Sequence, residues 1–133
     1  MRILVDTNVI INAPAFAALV QQHHAHASII TRAELEFGVR RTQRTGKHQA
    51  AKLRRLVIDA LDSPQAGFWL PFDQRCSESY GLLADVAHNV APAKARSKDA
   101  LIAATAHAYG LPLYTSNIKD FLVYGELITL VEV

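Results

Sequence analysis

The sequence predicts an α/β fold, a three-layer α/β/α arrangement with a mainly parallel central sheet, and two observations carry that reading. Short apolar runs alternate along the chain with segments whose apolar residues recur at three-and-four spacing, the pattern of strands joined by crossover helices. Several of the helical segments also carry capping or stop residues at their ends. No internal repeat or long linker divides the 133 residues, so residues 1–133 are expected to form a single domain with a real core.

Taken in order, Ile3 to Val5 is the first expected strand. Pro14 suits the first turn of a helix running to about Gln22, with Phe16, Leu19 and Val20 turned inward. Ala27 to Ile30 reads as a second buried strand, followed by a helix from Thr31 to about Arg41. Gly46 opens a longer helix in which Leu53, Leu56, Val57, Ala60 and Leu61 make an apolar stripe, and Ser63-Pro64 ends it. Gly67 to Phe72 is a third strand, and Cys76, Tyr80, Leu83, Ala84 and Ala87 share one face of the next helix. Ser97 caps a helix reaching Tyr109, with Gly110 as its left-handed stop. Leu113 to Thr115 and the edge strand Leu127 to Val131 complete the sheet.

Composition narrows the function classes. Half the residues are hydrophobic and 20% are charged, which is globular rather than disordered. The apolar runs are too short to span a bilayer, so no membrane partner is expected. Asp6 interrupts the first apolar run before a signal peptide could form, and Cys76 is the single cysteine, so the cytoplasm is the expected compartment. Net charge is only +2, yet seven of the 14 Lys and Arg lie between Arg40 and Arg55 with no acid among them. Such a stripe suits a polyanion, although a solvated helix face explains it equally well.

The acids are placed more tellingly than the bases. Asp6 follows the first strand, Glu34 comes one helical turn after the second, and Asn117 and Asp120 follow the fourth. Asp99 sits in the first turn of its helix. In open parallel sheets the site forms beyond the carboxyl ends of the strands, so these segments are expected to converge. Oxygen-rich clusters favour hard cations such as Mg2+ or Mn2+. Each acid also has a local explanation: Asp6 as a helix cap, Thr31 with Glu34 as a capping box, Asp99 as a partner for the helix dipole, Asp120 as a loop acid.

The words around these acids read Ile3-Leu4-Val5-Asp6-Thr7-Asn8-Val9-Ile10, then Thr31-Arg32-Ala33-Glu34-Leu35-Glu36-Phe37-Gly38, then Lys98-Asp99-Ala100-Leu101-Ile102-Ala103-Ala104-Thr105-Ala106, and finally Leu113-Tyr114-Thr115-Ser116-Asn117-Ile118-Lys119-Asp120-Phe121. In this order and spacing, over essentially the whole chain, the sequence resembles the PIN-domain ribonucleases, especially the VapC-type toxins of bacterial toxin–antitoxin pairs. The resemblance implies a metal-dependent endoribonuclease with Asp6, Glu34 and Asp99 as catalytic and metal-holding acids. It leaves open whether Asn117 or Asp120 fills the fourth position, with Asp120 able to supply the remaining charge. Thr115 matches a small hydroxyl residue of the pocket, and Asn8 is expected to support it. Glu36 is expected to face elsewhere. The implied partners are an RNA substrate, a VapB-like antitoxin and a second copy of the chain in a homodimer.

On this reading Asp6 and Asp99 hold Mg2+ or Mn2+, and Glu34 and Asp120 complete the shell directly or through water. The chemistry supplied is polarisation of the scissile phosphate and acidification of water. Lys94, Arg96 and Lys98, together with Arg41, Arg44 and Lys52, are the expected phosphate contacts. A phosphatase of the haloacid-dehalogenase type also begins with a strand ending in Asp, but it needs a second acid where this chain has Asn8. A non-catalytic RNA- or antitoxin-binding module on the same fold gains nothing from gathered negative charge. His23, His24 and His26 invite a zinc reading, but they lack a Cys or His partner at a known spacing and read better as an exposed helix end.

Overall fold

The computed structural model describes residues 1–63 and 67–133. In chain order the elements are β1 (Arg2–Val5), α1 (Thr7–Ile11), α2 (Ala13–Gln22), β2 (His24–Ser28), α3 (Ile29–Arg44), α4 (His48–Leu61), β3 (Trp69–Leu70), α5 (Gln74–Val90), a 3-10 turn at Lys94–Arg96, α6 (Lys98–Tyr109), β4 (Leu113–Thr115), 3-10 turns at Ile118–Asp120 and Leu122–Leu127, and β5 (Leu130–Glu132). The strands form a five-stranded sheet in the order β3-β2-β1-β4-β5, and each neighbouring pair is parallel. This is the three-layer α/β fold expected.

The alternation of side chains along β1 builds both layers at once. Ile3 and Val5 point into a core made with Val9, Ile10, Leu35, Val39 and Ile58, on the side of α1, α3 and α4. Leu4 points the other way, into a core with Leu83, Ile102, Leu113 and Phe121 beside α5 and α6. Helix α6 is the most enclosed of the helices: Ala100, Ala103, Ala104 and Ala106 are buried along it, and their small side chains permit a close approach. Ser97 caps α6 through its hydroxyl, and Gly110 ends it at φ 64°, as the sequence predicts. Cys76 is fully buried in α5, a small core residue, also as predicted.

Four expectations are corrected. Strand β2 begins and ends earlier than Ala27 to Ile30, because the Ser28 hydroxyl accepts from the Ile30 amide and starts α3 there. Ser28, not Thr31, is therefore the cap, and no Thr31–Glu34 capping box forms. His24 and His26 consequently lie in β2, and only His23 ends a helix. His26 is buried, with Nδ1 3.0 Å from the Gly67 carbonyl and Nε2 3.4 Å from Arg2 Nε.

The fourth correction concerns α4, whose apolar stripe does not face the core. Leu53 and Leu56 are 64% and 59% exposed, and Val57 and Val20 are also exposed. The inward residues are Ala51 and Ile58, flanked by the half-buried Arg54, Arg55 and Leu61. Polar pairing decides the rotation. Arg55 binds Glu36 of α3, while Asp62 just past α4 takes a two-pronged contact from Arg32 at 2.9 and 2.7 Å and the indole N–H of Trp69 at 2.7 Å. Packing the arginine stems against α3 turns Leu53, Leu56 and Val57 outward. Together with Ile10, Ile11, Ala13 and Leu35 they line an open apolar groove. The helix stops at Leu61; Pro64, expected to end it, lies outside the described residues.

Smaller differences lie at element ends. Strand β3 is confined to Trp69–Leu70, β5 is displaced to Leu130–Glu132, and α4 starts at His48. Among the described residues no helix is long and apolar enough to cross a membrane.

The rotation of α4 has a measurable consequence. Ile58→Ala, at a fully buried position, should destabilise the protein by about 2–5 kcal/mol. Leu56→Ala should change stability by no more than about 0.5 kcal/mol. Chemical denaturation of both variants checks this, and equal losses would mean that Leu56 is a core residue after all.

Candidate active site

Strands β1 and β4 are neighbours, yet the chain leaves β1 toward β2 on one side and returns to β4 on the other. The crevice beyond their carboxyl ends is the switch point of the sheet, the place where open α/β folds leave room for a ligand. Asp6 stands at the end of β1 and Thr115 at the end of β4.

Asp6 is 4% exposed, and both of its oxygens accept hydrogen bonds. Its Oδ1 accepts from the Thr7 amide at 2.7 Å, which caps α1. Its Oδ2 accepts from the Thr115 hydroxyl at 2.9 Å and the Asn8 side-chain amide at 3.1 Å. Thr115 Oγ1 in turn accepts from the Asn117 amide at 3.0 Å, and Asn8 Oδ1 accepts from the Ser116 amide at 3.2 Å. The two strand exits are thus stitched together around one carboxylate. The helix-cap explanation of Asp6 holds, and it does not compete with a place in the site.

Glu34 reaches the same edge from α3. Its Oε1 accepts from the Thr7 hydroxyl at 2.7 Å, and Thr7 Oγ1 lies 3.1 Å from the buried Thr31 hydroxyl. Thr7 therefore joins the exit of β1 to α3, a link that sequence reasoning missed. Its only signal was its place directly after Asp6. Glu36 points away and is held by Arg32 and Arg55.

Asp99 approaches from the first turn of α6, where the helix dipole favours a carboxylate. Lys94 stands between it and Asp120, its Nζ 3.8 Å from Asp99 Oδ2 and 3.0 Å from Asp120 Oδ1. Of the two residues that competed for the fourth position, Asp120 joins the acids through Lys94. Asn117 contributes its backbone amide, with its side chain in the exposed loop. Arg41, Arg44, Lys52, Arg96 and Lys98 are all exposed, whereas Lys94 is tied into the acid group.

The electrostatics match this crowding. Burial pushes the Asp6 carboxyl above its ordinary 3.8; hydrogen bonds from Thr115 and Thr7 pull it back, and the charge of Glu34 adds to the rise. Burial likewise raises the Asp99 carboxyl, the charges of Asp6 and Asp120 raise it further, and Lys94 offsets part of this. One ammonium thus faces Asp99 and Asp120 in a group of four carboxylates. The donors are all oxygen, a set suited to Mg2+ or Mn2+ rather than to zinc. Among the described residues no three His, Cys, Asp or Glu side chains stand close enough to enclose an ion.

The sequence matches the family model of the PIN domain over residues 3–127. Comparison with curated protein sequences gives no match. Among solved structures, VapBC2 from Rickettsia felis bound to a promoter DNA fragment is 23% identical, with 99% of this chain and 98% of that chain covered and a TM-score of 0.70. VapBC-5 from Mycobacterium tuberculosis, of the VapBC family of toxin–antitoxin systems, is 21% identical over 99% and 97%, with a TM-score of 0.72. FitAcB from Neisseria gonorrhoeae is 25% identical over 98% and 96%, with a TM-score of 0.67. What these chains share with the present one is the fold.

Asp99 ties stability to pH. Its folded-state value is raised, so the folded protein holds this proton more tightly than the unfolded chain. The stability of the metal-free protein should then fall as pH rises from 3.8 through the raised value, the penalty being complete above it. Asp99→Asn removes the penalty. Melting curves in EDTA should show the variant above the parent at neutral pH, with the gap shrinking toward pH 4. A variant that melts lower at neutral pH, or a gap indifferent to pH, contradicts the repulsion.

Proposed function

Because the chain belongs to the PIN domain family, whose members are generally metal-dependent nucleases, we propose that it is a Mg2+- or Mn2+-dependent endoribonuclease and the toxin of a toxin–antitoxin pair. The observation that carries this reading is the convergence of Asp6, Glu34, Asp99 and Asp120 on the switch point of the sheet. Elements far apart in sequence deliver these acids, and only a cation repays gathering them.

In this reading Asp6 and Asp99 hold the metal, with Glu34 and Asp120 completing its surroundings. The bound ion supplies charge neutralisation at the phosphate and activation of water. The residues themselves supply position. Thr115, Asn8 and the Thr7 amide keep both Asp6 oxygens occupied, so the carboxylate has one orientation. Thr7 holds Glu34 toward Asp6, where it is placed to accept a proton from attacking water. Lys94 draws Asp120 toward Asp99 and offers a positive charge at the mouth of the site, where a phosphate would arrive. The exposed Arg41, Arg44 and Lys52 are the proposed contacts for the rest of the RNA, together with the exposed Arg96 and Lys98, which flank Ser97 just before Asp99.

The proposed partner is an antitoxin of the VapB kind, as in the complexes to which this fold is similar. Two surfaces suit it. An arginine fits the carboxylate group by bidentate contact, and an apolar segment fits the groove beside Leu53, Leu56 and Val57. A homodimer in the cytoplasm completes the proposal.

Purified protein should cleave single-stranded RNA with Mg2+ or Mn2+ and stop with EDTA. Asp6→Asn and Asp99→Asn should each lower the cleavage rate by at least about 100-fold, as removal of an electrostatic catalytic group does. Thr7→Val should lower it less, because Glu34 loses its orientation and keeps its charge. RNA bound without metal-dependent cleavage would leave a binding module in place of an enzyme.

A further inference from the structure

Phe37 is the least protected aromatic near the acids. It lies on α3 one turn beyond Glu34, and its side chain is 60% exposed although Leu35 and Val39 on either side are buried. A phenyl ring left in water contributes nothing to the core, so stability does not account for it. One cation faces the ring. The Nζ of Lys98 lies 5.5 Å from the ring centroid, and Lys98 immediately precedes Asp99. The ring therefore stands on the rim between the helix that carries Glu34 and the helix that carries Asp99. Arg41, one turn further along α3, and Arg44 are both exposed, while the nearby Glu36 is neutralised by Arg32 and Arg55.

We propose that Phe37 is a stacking platform for an unpaired RNA base next to the scissile phosphate, with Lys98 and Arg41 holding the flanking phosphates. This rests on the ribonuclease reading and adds to it a position that holds a base of the single strand, whose bases offer a free face. An exposed ring faced by a lysine, with an exposed arginine one turn along the same helix, suits a base within a polyanion, because stacking uses the face of the ring and the cations take the backbone. It does not suit an apolar helix, which would need a continuous apolar surface such as the groove on α4. As the base settles, the flexible Lys98 ammonium exchanges the ring for a phosphate.

The test measures binding in the Asp99→Asn background, so that RNA survives. Its probes are a short single-stranded oligoribonucleotide and a ribose-phosphate strand of equal length without bases. Phe37→Ala should weaken binding of the base-bearing strand by about 5- to 150-fold, the range for one base–aromatic stack, and leave the abasic strand unchanged. Phe37→Trp should restore the loss. Equal loss on both strands, no loss on either, or a tryptophan variant as weak as alanine with an unaltered circular dichroism spectrum overturns the proposal. Weakened antitoxin binding with RNA binding intact also overturns it, and assigns the ring to a protein partner. Protein with native Asp99 separates the two levels. If it cleaves RNA while Phe37→Ala binds RNA normally, only the stacking role fails; if it neither binds nor cleaves RNA, the ribonuclease reading fails and this inference goes with it.

Discussion

The carboxylate of Asp6 is almost sealed from water at the centre of the sheet edge, and much of the surrounding architecture serves to keep it there. An anion in that position is costly unless donors replace its lost hydration. The donors come from separate places: the first amide of α1, the side chain of Asn8, and the hydroxyl at the end of β4. Asn8 and Thr115 in turn accept backbone amides of the segment after β4, so satisfying one carboxylate also sets the path of that segment. Glu34 is attached through Thr7, the next residue in the chain. The geometry of the edge is therefore a chain of hydrogen-bond obligations that begins at Asp6.

The arrangement is deliberately incomplete in charge. Hydrogen bonds lower the cost of Asp6 without cancelling it, and Lys94 faces only Asp99 and Asp120. Two acids that join helices elsewhere in the fold, Glu36 and Asp62, are each held by an arginine. Arg55 lowers the Glu36 carboxyl from its ordinary value, and Arg32 does the same for Asp62. The contrast lies within one molecule: Glu36 and Asp62 are neutralised by arginines, whereas burial and neighbouring carboxylates raise Asp6 and Asp99 at the switch point.

Much of this was legible in the sequence because strand exits are local events. An acid directly after Val5, a capping serine before Asp99 and a hydroxyl at the end of Leu113 to Thr115 need no tertiary knowledge to locate. Gly110 announces the end of α6 for the same reason. What could not be read depends on partners distant in sequence. The face of α4 follows from Arg55 meeting Glu36 and Arg32 meeting Asp62, so counting apolar residues alone turned the helix the wrong way. The start of α3 hinged on whether Ser28 would serve as strand or cap, and both fit its neighbours. Thr7 gains its importance only when α3 lies beside it.

The bond between the indole of Trp69 and Asp62 has an optical consequence. Trp69 is the single tryptophan in the chain, so all indole emission comes from one place. That indole packs edge-on to Phe68 at 4.8 Å and donates to a carboxylate that is itself clasped by Arg32, two residues before Glu34 on α3. Any displacement of α3 that pulls Arg32 from Asp62 changes the charge next to the fluorophore. The molecule thus carries a built-in spectroscopic gauge on the helix that bears Glu34, readable without a label.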